Sequence, residues 1–145
     1  YNLIAGTLSS LCHYSNREKS VNRITPGIHG ISNAFLNTPW PKVERAKKRF
    51  SELIQNGKLT ENELFHLLSD QERFPPEQLP DTGLEPELER AVSSCFIKTA
   101  DYGTRCSTLL FVTHHGEVRF VERVFAPGTN NVTEENGYDF RFRDS

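Results

Sequence analysis

The sequence predicts an α+β domain with a mostly antiparallel sheet covered by helices. Two observations predict it: strands come first, then helices, then strands again, and apolar residues change to a helical spacing after Pro41. Strands alternating with helices would instead indicate a parallel sheet. A chain of 145 residues is long enough for one core and too short for two. We therefore expect residues 1–145 to form a single domain.

The first forty residues predict a meander of short strands. The runs NLIAGTL, LCHYSN and RITPGIHGIS have strand-like composition, and polar residues separate them. Gly27 and Gly30 in the third run suggest a close approach of another group to the backbone. We expect Gly27 to Ser32 to form a core strand, so that Asn33 lies where this strand meets a loop.

Two amphipathic helices should follow. One face of a helix that begins at Pro41 and ends near Gly57 is apolar. Its residues are Val43, Ala46, Phe50, Leu53 and Ile54. Thr60 and Glu63 have the spacing of a capping box for a second helix. A proline-rich connector then covers 70–80, and PELERAVSSCF adds one helical turn or two.

The clearest strand signal is a hairpin near the carboxyl end. Two β-rich runs, 104–113 and 117–125, are joined around His115-Gly116. Their nearly continuous apolar residues predict strands that are buried on both faces. Residues 136–145 alternate aromatic and charged side chains, which predicts a half-exposed edge strand.

Composition excludes several classes of function. The 17 basic and 19 acidic residues nearly cancel, so the chain has no general attraction for nucleic acid or an anionic membrane. No apolar run approaches the roughly 20 residues of a membrane span. Three widely spaced cysteines indicate neither a disulfide framework nor a metal site, and no histidine pair has metal-ligand spacing. Reduced thiols in the cytoplasm, with small-molecule or protein partners, are the simplest interpretation.

Two polar segments are candidates for a site. Ser32 and Asn33 follow the predicted third strand, where an Asn amide can donate to a ligand oxygen; alternatively, Asn33 closes a turn and Trp40 seals the core. In YGTRCST, Arg105 begins a predicted buried strand, where it needs either a ligand anion or a structural carboxylate. Cys106 and His114 lie too far apart along this strand to act as a nucleophile and its base.

The segments YSNRE, GIHGISNAFLNTPWPKV and YGTRCSTLLFV with GEVRFVER together resemble the transport and Golgi organisation protein 2 family, also called the NRDE family. The resemblance runs from Tyr1 to about Phe125 and corresponds to the C-terminal half of these proteins. The chain opens with Tyr1 and contains no methionine. We therefore expect it to be a portion of a longer protein, preceded by an N-terminal half.

The resemblance implies an N-terminal-nucleophile (Ntn) hydrolase-like fold, a layered αββα sandwich of which this chain forms part. The intact protein would then be a cysteine-type amide hydrolase. By analogy Asn33 is the oxyanion donor and Arg105 a supporting cation. The ligand-binding candidates beside them are Ser32, Trp40, Tyr102 and Thr104. Because Tyr1 cannot supply the N-terminal thiol, this chain alone is expected to be inactive.

The resemblance also links the family to haem and lipid homeostasis and to organisation of the secretory pathway. The alternative function is therefore a non-catalytic carrier of haem or acyl-lipid metabolites, with no other cofactor evident. Expected partners are a small hydrophobic metabolite or amide substrate, the N-terminal half, and further copies that pair through exposed strand edges. The resemblance allows a mitochondrial or Golgi-associated location besides the cytoplasmic one.

Overall fold

The computed structural model describes residues 1–142 and confirms an α+β fold with antiparallel sheets. There are two three-stranded sheets. The first contains β1 (Asn2–Thr7), β2 (Ser10–Ser15) and β3 (Ser20–Ile24), and the second contains β4 (Cys106–Val112), β5 (Glu117–Phe125) and β6 (Val132–Arg141). Every pairing is antiparallel and joins strands that are consecutive in the sequence.

The third strand lies earlier than predicted. β3 covers Ser20–Ile24, mostly within the segment interpreted as a polar spacer, and residues 25–40 contain no helix or strand. Pro26 lacks a backbone N–H, and Gly27 has a φ of 149°, so the ladder with β2 stops at Ile24. The prediction of a core strand from Gly27 to Ser32 is therefore wrong, and Asn33 belongs to an irregular loop.

The predicted helices are present. They are α1 (Pro41–Gln55), α2 (Glu61–Leu68) and α3 (Pro86–Ala91), with one 3₁₀ turn at Pro76–Gln78. α1 begins at Pro41 as predicted and is followed by Gly57 in the left-handed conformation, with a φ of 64°. The side chain of Thr60 accepts a hydrogen bond from the backbone N–H of Glu63, which confirms Thr60 as the N-cap of α2.

Helix α2 joins α1 to the second sheet. Its buried Leu64 and Phe65 pack against Leu109 of β4 and Val121 of β5, and these four residues form the centre of the core. The guanidinium of Arg123 lies 3.9 Å from the centre of the Phe65 ring, so it covers the aromatic face from the sheet side. The core therefore holds two helices on one face of the second sheet.

The opposite face of this sheet carries exposed apolar side chains. Leu110 is 63% exposed, and its register partner Phe120 pairs in turn with Tyr138, which is 58% exposed. The prediction that β4 is buried on both faces is wrong, because only Ser107 and Leu109 in β4 are buried. β6 is an edge strand as predicted; residues 143–145 of the predicted segment lie outside the described residues.

Candidate functional site

Two neighbouring clefts flank the loop that contains Asn33. The apolar cleft, of about 430 Å³, lies between residues 28–33 and the helices α1 and α2. The aromatic cleft, of about 380 Å³, lies between residues 33–42 and 79–93. Asn33 and Lys42 line both. Both volumes fall within the range of about 300–1,000 Å³ that is usual for small-molecule sites.

The apolar cleft combines an apolar lining with lysines. Its apolar side chains are Ile28, Ile31, Val43, Ala46, Phe50, Leu67 and Leu68. The Nζ of Lys42 donates a hydrogen bond to the carbonyl of Val92 at 2.9 Å, and Lys47 pairs with Glu44 at 3.1 Å. Burial lowers the pKa of Lys42, although the nearby Cys95 and Glu89 oppose this effect.

A thiol also lines the apolar cleft. Burial raises the pKa of Cys95 and the charge of Asp70 raises it further, whereas Lys42 and Arg49 act in the opposite direction. Because only the thiolate is a good nucleophile, Cys95 is a weak one at neutral pH. The sequence gives Cys95 no neighbouring base. Among residues 1–142, no hydrogen bond joins Cys95 to His29, the histidine that lines the cleft, whose ring nitrogens bond to Thr25 and Asn37.

His29 organises the loop at the rim of the apolar cleft. Its Nε2–H donates to the carbonyl of Thr25 at 2.8 Å, and its Nδ1 accepts from the amide of Asn37 at 2.8 Å. The Oδ1 of Asn37 accepts from the backbone N–H of Gly30 at 3.0 Å, with Asn37 in the left-handed region at a φ of 61°. Both ring nitrogens are occupied, so His29 does not fit as a haem-iron ligand in this arrangement.

Asn2 and His13 attach the Asn33 loop to the first sheet. The amide of Asn2 donates to the carbonyls of Ser32 at 3.3 Å and Ala34 at 3.1 Å, on either side of Asn33. The Oδ1 of Asn2 accepts from Nε2 of His13 at 3.0 Å, and the His13 ring is fully buried. Both functions of the Asn2 carboxamide are satisfied, so it fixes the backbone of the loop where Asn33 enters the clefts. The Nδ1 of His13 is buried and has no hydrogen-bond partner among residues 1–142.

Three of the predicted site residues lie at these clefts. Ser32 lines the apolar cleft, Trp40 lines the aromatic cleft, and Asn33 lines both. Trp40 is also the N-cap residue of α1, and the Nζ of Lys42 lies 5.8 Å from the centre of its ring. The carboxamide of Asn33 has no hydrogen-bond partner among residues 1–142, so it is available to a ligand.

The other predicted site residues line neither cleft. Thr104 forms hydrogen bonds with the backbone of Ile97, and Tyr102 forms them with Thr99. Arg105 is exposed, and its carbonyl accepts from the N–H of Phe125 at 2.9 Å. The expectation that Arg105 is buried, and therefore needs a ligand anion or a structural carboxylate, is wrong, because Arg105 precedes β4 at the surface. Its supporting role stays a prediction.

Sequence reasoning missed several residues at the clefts. Basic side chains of an amphipathic helix are expected to face solvent, but the loop before α1 folds back so that Lys42 and Lys47 line the apolar cleft. Cys95 has no recognisable pattern around it. Asn37 carried a weak signal, since Asn is the residue after Gly that most readily adopts the left-handed conformation. Asn2 gave no signal because its two carbonyl partners lie about thirty residues away.

Within residues 1–142, no three His, Cys, Asp or Glu side chains form a group that could hold a metal ion. None of the helices in this part of the chain is both long enough and apolar enough to cross a membrane.

Comparison with known proteins places the chain in a family. A sequence model of the family described as "Transport and Golgi organisation 2" matches residues 1–127. The chain belongs to this transport and Golgi organisation 2 family. Its Mus musculus and Homo sapiens homologues are each 34% identical over 155 aligned positions that include 97% of this chain, and the Bos taurus homologue is 33% identical. The chain spans 56–57% of the length of these family members.

In this family member, Asn2→Ala should loosen the Asn33 loop. The substitution leaves the carbonyls of Ser32 and Ala34 and the buried Nε2 of His13 without their partner, which costs about 1–3 kcal/mol of stability. We expect faster amide hydrogen exchange in residues 32–38, measured by mass spectrometry, with little change in α1. Asn22→Ala is the matched control, because among residues 1–142 that exposed amide bonds only to Glu18 and Ser20. Equal exchange in both variants would contradict the prediction.

Proposed function

We propose that the full-length protein binds a hydrophobic metabolite that carries an anionic group, and that it does so in the apolar cleft. The names of the family and of its curated members support a role in transport and Golgi organisation. Binding of such a metabolite would be the molecular contribution of this half of the protein. The sequence suggests two functions, a non-catalytic carrier and an amide hydrolase, and this proposal corresponds to the carrier.

One observation carries the proposal: an apolar lining ends at two lysines. Val43, Ala46 and Phe50 of α1 face into the cleft, and Lys42 and Lys47 of the same helix lie beside them. An acyl chain gains free energy from leaving water in such a lining, at about 25 cal/mol per Å² of buried apolar surface. An ammonium group at the rim then offers a charge-assisted hydrogen bond to a carboxylate or phosphate.

The geometry favours an acyl-type ligand over haem. Haem would also bring apolar surface and carboxylates, but the histidine at this cleft has both ring nitrogens engaged. The thiol of Cys95 has a raised pKa, which disfavours the thiolate that would bind iron. We therefore place acyl-lipid metabolites first among the ligands.

A titration of the full-length protein with oleate tests the proposal. We expect saturable binding by calorimetry, and about tenfold weaker binding for Lys47→Gln because one charge-assisted contact is lost. Lys48→Gln is the matched control, since Lys48 is exposed, follows Lys47 directly and lines neither cleft. No saturable binding, or equal weakening by both substitutions, would refute the proposal.

A cysteine-type amide hydrolase is the second candidate, favoured by the position of Asn33. Its unengaged carboxamide lies at the junction of the two clefts, where it could stabilise an oxyanion if the nucleophile came from the remainder of the full-length protein. Asn33→Ala should then reduce amide turnover by the full-length protein about 10²–10³-fold with the fold intact. Unchanged turnover in this variant would remove the hydrolase from consideration.

A further inference from the structure

We infer that Asn56 is a site of spontaneous covalent modification, at which the side-chain amide is lost and aspartate or isoaspartate forms. The residue lies between α1 and α2, and the inference does not depend on what binds in the clefts. Two Asn-Gly pairs occur in this chain, Asn56-Gly57 and Asn136-Gly137. Their sequences are equally suited to the reaction, but the structure leaves the first pair open to it and restrains the second.

The reaction needs only water as co-reactant. The backbone nitrogen of the glycine attacks Cγ of the asparagine, so that an N–Cγ bond forms and the Cγ–Nδ2 bond breaks. The proton of the glycine N–H leaves with the side-chain nitrogen as ammonia. Water then opens the cyclic imide at either carbonyl, which gives aspartate or isoaspartate. Glycine favours the attack because it has no Cβ beside the reacting nitrogen and its backbone turns freely.

Asn56 is exposed and its side chain is unrestrained. It follows the last residue of α1, and its sole hydrogen bond among residues 1–142 is the one that its backbone N–H donates to the carbonyl of Glu52 at 3.0 Å. A Cβ placed on Gly57 would have no atom within 4 Å, so the glycine stands in open space. The carboxamide can therefore rotate toward the Gly57 nitrogen without displacing a neighbour.

The hydrogen bonds that hold Gly57 belong to a helix end. Gly57 has a φ of 64°, and its N–H donates to the carbonyl of Ile54 at 3.1 Å. The N–H of Lys58 donates to the carbonyl of Leu53 at 2.9 Å, which completes a Schellman motif. Helix ends fray, and such local opening costs little free energy. Fraying therefore releases the Gly57 nitrogen for the attack.

The second pair is held inside a strand. Asn136 and Gly137 lie in the middle of β6 and pair with residues of β5. The amide of Asn136 donates to Oε1 of Glu134 at 3.0 Å, so this side chain is restrained. A Cβ placed on Gly137 would be 3.0 Å from the guanidinium of Arg119. Formation of the imide here requires the chain to leave the ladder, which costs more than the fraying of a helix end.

Conversion of Asn56 should loosen the connection between α1 and α2. Either product places a carboxylate at the C-terminal end of α1, where the helix dipole is negative. Glu52 and Glu63 line the same surface hollow as Asn56 and repel this charge, whereas Arg49 and Lys58 at that hollow offset part of the repulsion. Isoaspartate also adds a methylene group to the main chain, which moves the donors of the Schellman motif away from their carbonyls.

Incubation of the full-length protein at mildly alkaline pH, followed by peptide mapping with mass spectrometry, tests the inference. We expect the ratio of Asn56 to Asn136 conversion to be about tenfold higher in the folded protein than in urea, where both pairs are unfolded. Isoaspartyl methyltransferase, which methylates isoaspartate, should label the peptide that contains residue 56. Asn56→Gln should lose this label, because glutamine forms the corresponding larger ring more slowly. Asn136→Gln is the matched control and should keep it.

Two results would overturn the inference: an Asn56 that stays intact in the folded protein, or a conversion ratio no higher in the folded protein than in urea. A second pair of variants tests the consequence for the fold. Asn56→Asp should speed amide hydrogen exchange in residues 53–58, and Asn136→Asp should leave exchange in that segment unchanged. Equal exchange in the two variants would show that a carboxylate at position 56 does not loosen the connection between the helices.

Discussion

Phe65→Ala is expected to lower the free energy of unfolding by about 3–5 kcal/mol, the usual cost of removing a buried phenylalanine. Phe65 is 4% exposed and packs with Leu64, Leu109 and Val121, so its removal opens a cavity between α2 and the second sheet. The loss of the ring also removes the surface that Arg123 covers at 3.9 Å. Urea unfolding followed by far-ultraviolet circular dichroism measures the change.

Two control substitutions make the result specific. Phe65→Leu keeps most of the side-chain volume and should cost about 1–1.5 kcal/mol. Phe142→Ala makes the same chemical deletion at a side chain that is 51% exposed, and surface changes of this kind stay within about 0.5 kcal/mol. A loss for Phe65→Ala no greater than that for Phe142→Ala would show that α2 does not hold the sheet as described.

Asp70→Ala should produce the second-largest loss, about 2–3 kcal/mol, because hydrogen bonds between charged groups are lost at a poorly exposed carboxylate. The carboxylate of Asp70 accepts from Nε of Arg45 at 2.6 Å and from Nη1 of Arg49 at 2.8 Å, and its side chain is 13% exposed. It also accepts from the backbone N–H of Glu72 at 3.0 Å. These bonds tie the end of α2 and the following connector to α1.

The same contacts predict how stability depends on pH. Burial raises the pKa of Asp70, but hydrogen bonds from Arg45 and the Glu72 backbone, the charge of Arg45 and the bond from Arg49 outweigh it and hold the pKa below its ordinary value. A carboxylate with a lowered folded-state pKa stabilises the protein above its unfolded-state pKa of about 3.9, and this contribution disappears as the pH falls through the folded-state value.

The measurement compares unfolding at neutral pH and near pH 3. The difference in the free energy of unfolding between wild type and Asp70→Ala should be smaller near pH 3 than at neutral pH. Glu44→Ala is the control, since Glu44 forms an exposed pair with Lys47 of the kind that contributes about 0–1 kcal/mol. If this difference in unfolding free energy stays constant or increases in acid, the ionised carboxylate of Asp70 is not the stabilising group.

Local signals explain which elements could be predicted from sequence. The start of α1 at Pro41 and the N-cap at Thr60 depend on residues within one helical turn, so the pattern alone was sufficient. The third strand was placed too late because apolar residues beyond Pro26 resemble a strand although the chain there forms a loop. Strand propensity depends on pairing and packing that one sequence does not reveal.

The candidate site was predicted only in part for a similar reason. Asn33 and Trp40 stand out because glycines and prolines surround them, and both line the clefts. Arg105 stands out equally, yet it lies at the surface because the strand after it exposes alternate residues. Lys42 carries no signal, since its burial depends on Val92, fifty positions further along the chain. Contacts across such separations are set by the tertiary fold.

The strand order has a consequence for how the molecule forms. Within residues 1–142, β1, β2 and β3 pair only with their sequence neighbours, so the ladder of the first sheet uses no described residue beyond Ile24. The second sheet is likewise a local meander of β4, β5 and β6. Chains dominated by local pairing pay little loop-closure entropy and fold quickly. During synthesis at about 5–20 residues per second, the first hairpins have several seconds to form before β4 leaves the ribosome.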